Sequence, residues 1–187
     1  MSARRIHIVG GPGSGKSVTA AKLAESCGIP SIDLDRLFWH QASDRYGVKA
    51  PPEERDVALK RILAQPTWII EGVYHRWVRR CFEQADVVLI MNTPVWLRHW
   101  RILVRFLKRR LGLEKSKHES ISDLVGLLRW NHSYDGDTLL AVRQIRYRPY
   151  SLPQEFCLDS QVSPLCAAFR ESWISGTLSR PDSNNPP

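Results

Sequence analysis

The chain is short of several features that would mark other classes of protein. It has only four cysteines in 187 residues, Cys27, Cys81, Cys157 and Cys166, and no C-x-x-C pair. That argues against a zinc knuckle or a disulfide scaffold and suits a reducing compartment, so the cytoplasm is the expected location. His40, His75, His99, His118 and His132 stand at no metal-ligand spacing from a cysteine or from one another. Long apolar runs are missing too. Stretches such as Val87–Met91 fall far short of the roughly 18 residues that a membrane-spanning helix needs. The basic start, Met1–Arg5, is followed only by Ile6, Ile8 and Val9 before glycines intervene, which is no signal peptide. Acids are scarce: 19 Asp+Glu face 27 Lys+Arg, a formal charge of +8 that points to a polyanionic partner. The 43% hydrophobic content and seven tryptophans are enough for one sizeable core and exclude wholesale disorder.

What is present alternates. Arg5–Val9 reads as a short buried strand, and 16–27 as a helix closed by Gly28. A second strand is expected over 29–34, and a helix from Pro51-Pro52-Glu53-Glu54 to about Leu63. Thr67–Ile70 is the third strand and Asp86–Met91 the fourth, apolar enough to be covered on both faces. Thr93-Pro94 opens a long helix to about Leu111, and helices are expected over 121–130 and 138–145. Strands alternating with helices predict an α/β fold: a parallel sheet flanked by helices in three layers.

Between the first strand and helix lies Gly10-Gly11-Pro12-Gly13-Ser14-Gly15-Lys16-Ser17, which matches G-x-x-x-x-G-K-S/T at every fixed position. Glycines let consecutive N–H groups turn inward as a nest for phosphates, and the following helix aims its N-terminus at the same anion. Lys16 is suited to the outer phosphates and the Ser17 hydroxyl to Mg²⁺. A dinucleotide fingerprint fails on spacing, because its third glycine would fall on Lys16.

These residues carry a resemblance. The loop, the run Ser31-Ile32-Asp33-Leu34-Asp35 and an arginine-studded helix after the fourth strand resemble small P-loop kinases of the adenylate kinase and shikimate kinase type. The stretches Asp33–Trp39, Trp68–Tyr74 and Thr93–Leu97 are similar to bacterial DNA topology modulation protein-like ATPases. The resemblance spans roughly residues 4–145. It implies an ATP- and Mg²⁺-dependent phosphotransferase domain over residues 1–150. The prolines that recur from Pro149 onward and the polar end Ser179–Pro187 predict a partly disordered C-terminal extension over 151–187.

On that resemblance Asp33 joins Ser17 at the metal, and Asp35 serves the acceptor hydroxyl. In an extended chain both carboxylates point the same way; the alternative is a turn pair that solvates a strand end. Gly72, which allows close backbone approach, and Arg76, which could grip an acceptor anion, are the expected acceptor-side residues. Phe38 and Trp39 read as core packing, or as a stacking platform for a nucleoside. In the long helix Arg98, Arg101, Arg105 and Lys108/Arg109 share a face, with Leu97, Trp100, Val104, Leu107 and Leu111 forming an apolar face expected to cover the sheet. Arg101 and Arg105 are in register with the family's arginines that close over the transferring phosphoryl group. Two departures stand out. The lid stretch Gly112–His118 lacks the further arginines of relatives, and Asn92 replaces an acid, leaving the metal to Ser17 and Asp33.

Between Arg98 and Lys117 the chain carries eight cations and one acid, Glu114, so the excess charge is local. ATP is its leading counter-charge, with a small hydroxyl or phosphate acceptor beside it and no membrane role. Two other readings remain open: a nucleotide-gated nucleic-acid-binding ATPase, and a P-loop protein that binds nucleotide without turnover.

Overall fold

The structure is a computed structural model and describes residues 5–40, 48–113, 120–139 and 141–142. Strand β1 (Arg5–Gly10) is flanked by β3 (Trp68–Gly72) and β4 (Val87–Met91), with β2 (Ser31–Asp33) outside β3. All pairings are parallel, in the order β2-β3-β1-β4. The β1 pleat sorts the core into two layers. Ile6 and Ile8 pack with Ala20 and Leu23 of helix α1 (Lys16–Cys27) on one face. On the other, Val9 joins Leu59 and Leu63 of helix α3 (Pro52–Leu63) and Cys81 and Phe82 of helix α4 (Arg79–Gln84). His7 shares that second layer, edge-on to Phe82 with ring centroids 4.5 Å apart.

The α/β sheet flanked by helices is the expected fold, and α1 ends on a left-handed Gly28 as its sequence suggests. Two helices were too short to leave a periodic signal: α4, and α2 (Asp35–Phe38). Helix α2 also shortens the second strand, because the Asp33 carboxylate accepts the Asp35 N–H at 2.8 Å and turns the chain. Asp35 therefore opens a helix and does not continue an extended pair with Asp33. In β4, Val87, Val88 and Leu89 are buried, so both faces are covered there, while Ile90 and Met91 are half-buried.

The long helix α5 (Val95–Arg110) corrects the expected packing. Its buried residues are Arg98, Ile102 and Phe106, whereas Trp100, Leu107 and Leu111 are exposed. The sheet faces are occupied by α1 on one side and by α3 with α4 on the other. Helix α5 instead packs Ile102 and Phe106 against Leu124, Leu127 and Leu128 of α6 (Ile121–Tyr134). Helix α6 runs four residues past its expected end and starts in a capping box, with Ser120 Oγ accepting the Asp123 N–H while the Asp123 carboxylate accepts the Ser120 N–H. It continues as a π-helical turn, Asp135–Leu139, where the next helix was expected to begin. Most of the lid stretch and the 151–187 extension lie outside the described residues. Among those described, no helix is long and apolar enough to cross a membrane.

Candidate active site

Register brings the C-terminal ends of β1 and β3 together, pairing Ile8 with Glu71 and Val9 with Gly72. The segment Gly10–Gly15 then leaves β1 and enters α1. Gly13 (φ +75°) and Gly15 (φ +95°) take left-handed backbone that other residues rarely adopt. A side chain at Gly10 would come within 2.7 Å of Met91 Cβ. Gly11 and Gly13 stand at positions the motif leaves free, yet both are hemmed in: a Cβ on Gly11 would strike the Arg98 guanidinium, and one on Gly13 would lie 2.7 Å from the Arg98 carbonyl oxygen.

The loop's carbonyls are held from outside. Thr93 Oγ1 donates to the Ser14 carbonyl at 2.9 Å and Arg101 Nη1 to the Gly13 carbonyl at 3.0 Å. In a trans peptide the N–H lies opposite the C=O, so Thr93 turns the Gly15 N–H to the far edge of its peptide plane. No side chain caps the start of α1. An uncapped helix N-terminus and its dipole suit an anion here.

Lys16 is buried and its Nζ donates to the Gly11 carbonyl at 3.5 Å. Burial pushes its pKa down, against the pull of Glu71, Asp35 and Asp33, while Arg105 pushes it down further. Arg105 is thus within electrostatic reach of Lys16. Ser17 Oγ donates to Glu71 Oε1 at 2.6 Å. Burial raises the Glu71 carboxyl above the usual range, opposed by Lys16 and by the Ser17 hydrogen bond. Asp33 is raised for the same reason, opposed by the Asp35 N–H and Lys16. Asp35 accepts the Tyr74 hydroxyl at 2.7 Å.

Among the described residues no group of three or more His, Cys, Asp or Glu is arranged to hold a metal. A hydroxyl beside one carboxylate nonetheless suits Mg²⁺, which keeps several waters and takes its other ligands from phosphates. Burial makes the charge of Glu71 and Asp33 costly, and Lys16 offsets part of that cost at both.

The predicted residues are partly gathered. Gly10–Ser17, Asp33, Asp35 and Arg101 meet around the loop. Arg76 is exposed, four residues past the end of β3. Gly72 also has a packing reason: a Cβ there would lie 2.8 Å from Leu34 Cδ1. Phe38 is a half-buried part of an aromatic cluster, stacked on Tyr74 at 4.5 Å and tilted against Trp77 at 6.1 Å, with the Arg55 guanidinium 4.8 Å above its ring.

Sequence reasoning missed Glu71, Tyr74, Thr93 and the inward turn of Arg98. A clue to Glu71 was in view, as the one acid inside an apolar strand. It supplies beside Ser17 the carboxylate that Asn92 lacks.

No family model matches the chain. An adenylate kinase of Mycobacterium ulcerans (strain Agy99) is 27% identical over 175 residues, covering 87% of this chain and 90% of that protein. One from Mycobacterium marinum (strain ATCC BAA-535 / M) is 26% identical over the same span. A shikimate kinase from Acinetobacter baumannii, solved in complex with shikimate, superposes with a TM-score of 0.59 at 17% identity, covering 95% of this chain and 96% of that one. A gluconokinase from Sinorhizobium meliloti 1021 gives 0.51 at 17% identity, covering 94% and 98%. The parallel sheet and the phosphate loop between β1 and α1 give the chain the fold of small P-loop kinases, and its sequence is similar nearly end to end to adenylate kinases.

Proposed function

We propose that the protein transfers the γ-phosphate of ATP, with Mg²⁺, to a hydroxyl or phosphate of a small acceptor. The observation that carries this reading is the convergence of Lys16, Ser17 and Glu71 at the mouth of the glycine loop, with the Ser17–Glu71 hydrogen bond of 2.6 Å at its centre. Gly10–Ser17 would hold the polyphosphate through main-chain N–H groups. Ser17 would ligate Mg²⁺, with Glu71 and Asp33 as its carboxylate partners. The metal, when bound, supplies charge neutralisation on the phosphates.

Lys16 would swing from the Gly11 carbonyl to the transferring group and offset the charge that develops there. Asp35, oriented by Tyr74, would align an acceptor hydroxyl and take its proton as the new P–O bond forms and the bond from the γ-phosphorus to the bridging oxygen breaks, releasing ADP. Arg105, within electrostatic reach of Lys16, would close over the site, Arg101 would join it on releasing the Gly13 carbonyl that it holds here, and Arg76 would meet an anionic acceptor from outside. A kinase for a small alcohol or nucleotide is favoured over a nucleic-acid-dependent ATPase. Arg98 and Arg101, two of the cations counted toward a basic face, bind the protein itself.

A radiolabelled-ATP screen against nucleosides, nucleotides, shikimate-like polyols and sugars, with and without Mg²⁺, tests the reading. Lys16→Ala is expected to lower transfer by at least about 100-fold. An unchanged rate in that variant refutes it.

A further inference from the structure

On α5 the inward face reads Arg98, Ile102, Phe106. Two of the three are apolar and pack against α6; the third is a guanidinium only 1% exposed. Arg98 Nη2 donates to Asp135 Oδ2 at 2.8 Å and more weakly to the Asn131 carbonyl at 3.4 Å. Its charge lies 5.8 Å from the Tyr134 ring centroid. Asp135 keeps 40% of its side chain in solvent.

As a device for stability this is a poor choice. Desolvating a guanidinium for one partly exposed carboxylate offsets most of the attraction, and an apolar residue of similar volume would serve as well or better. The cost is compounded locally. Among the described residues, Arg98 Nε, Asn131 Oδ1 and Nδ2, and Ser14 Oγ are all buried without a hydrogen-bond partner.

These groups surround one object, the outer wall of the phosphate loop. The space a side chain on Gly11 would need is filled by Arg98 Nη1, with Asn131 Oδ1 at 3.0 Å from the same point. The Arg98 backbone abuts Gly13. We propose that Arg98 is a positioning residue for the phosphate loop: tied to α6 by Asp135, its guanidinium is the surface on which Gly11 is moulded, so the α5–α6 hairpin sets the shape of the loop. Asp135 fixes the guanidinium, the guanidinium fixes Gly11, and the turn closed by the Ser14 N–H on the Gly11 carbonyl at 3.2 Å carries that constraint toward the N–H groups beyond it. Where nucleotide affinity is concerned, this inference rests on the kinase reading; where the shape of the loop is concerned, it does not.

The test uses the full chain in two measurements. Asp135→Asn is nearly isosteric, and Arg98→Lys keeps the charge but loses the planar fork. In the nucleotide-free protein, both are expected to shift the backbone amide resonances of Gly11, Gly13 and Ser14 while thermal unfolding stays cooperative. In calorimetric titrations with MgATP, both should weaken binding about tenfold. Gly11→Ala should weaken it as well, and part of that loss should return when Arg98→Ala removes the guanidinium. Loop amides that do not move in either of the first two variants overturn the proposal. So does strict additivity of Gly11→Ala and Arg98→Ala. If the wild-type chain binds no MgATP, the kinase reading falls instead, and the amide resonances alone decide the role of Arg98.

Discussion

His7 gives the most quantitative expectation. It sits in the middle of β1, fully buried, with Nδ1 3.1 Å from the Ile70 carbonyl and its ring edge-on to Phe82. Burial lowers its pKa from 6.5 to about 4, only partly opposed by the hydrogen bond to Ile70. The folded protein therefore holds His7 neutral over a range in which the unfolded chain protonates it. Its contribution is fully present above about pH 6.5 and falls as the pH drops toward 4, because the unfolded state then binds more protons. At about 1.36 kcal/mol per pKa unit, roughly 3 kcal/mol is lost by pH 4. Asp33 and Glu71, raised by burial, act with the opposite sign: their stabilisation is present at low pH and fades as the pH rises through their folded values. The effect of His7 is isolated by comparing wild type with His7→Leu in urea denaturation at pH 7 and pH 4.5. The wild type should lose about 2–3 kcal/mol more than the variant over that interval. Parallel pH profiles for the two proteins would refute a buried neutral His7.

Three further outcomes follow from the site and its supports. Glu71→Gln should raise the Mg²⁺ concentration for half-maximal activity about tenfold, with the Mg²⁺ titration as the readout; an unmoved midpoint removes Glu71 from the metal. Tyr74→Phe frees Asp35 from its 2.7 Å hydrogen bond, so kcat should fall about tenfold while the KM for ATP stays put; a change confined to the ATP KM would contradict the acceptor-side role. Ser120→Ala breaks the capping box of α6 and should cost about 1 kcal/mol in chemical denaturation; no change would mean that packing against α5 alone sets the start of that helix.

The parts of the fold that could be read in advance are those written in local rules. Glycines followed by Lys-Ser define the loop, Gly28 ends α1, and Pro52 starts α3 within a residue of the expected point. What escaped was set by competition between elements. The arginines of α5 share a helical face, but which face turns inward depends on what already covers the sheet. With α1, α3 and α4 in place, the helix turned Arg98 toward Asp135, a partner 37 residues away. Glu71 escaped for a similar reason: its meaning comes from Ser17, 54 residues earlier, through the pairing of β1 with β3. Gly72 carries a demand that the sequence alone does not resolve, since closeness to Leu34 and closeness to a ligand ask the same of a residue.

The two interior glycines of the loop have a consequence for protein engineering. Written as a motif, the octapeptide looks like a portable cassette with four interchangeable letters. In this molecule Gly11 and Gly13 are matched to one arginine on a distant helix, so the cassette comes with a mould. Grafting the loop onto another scaffold without Arg98 and its carboxylate would transfer the letters and leave behind part of what shapes them.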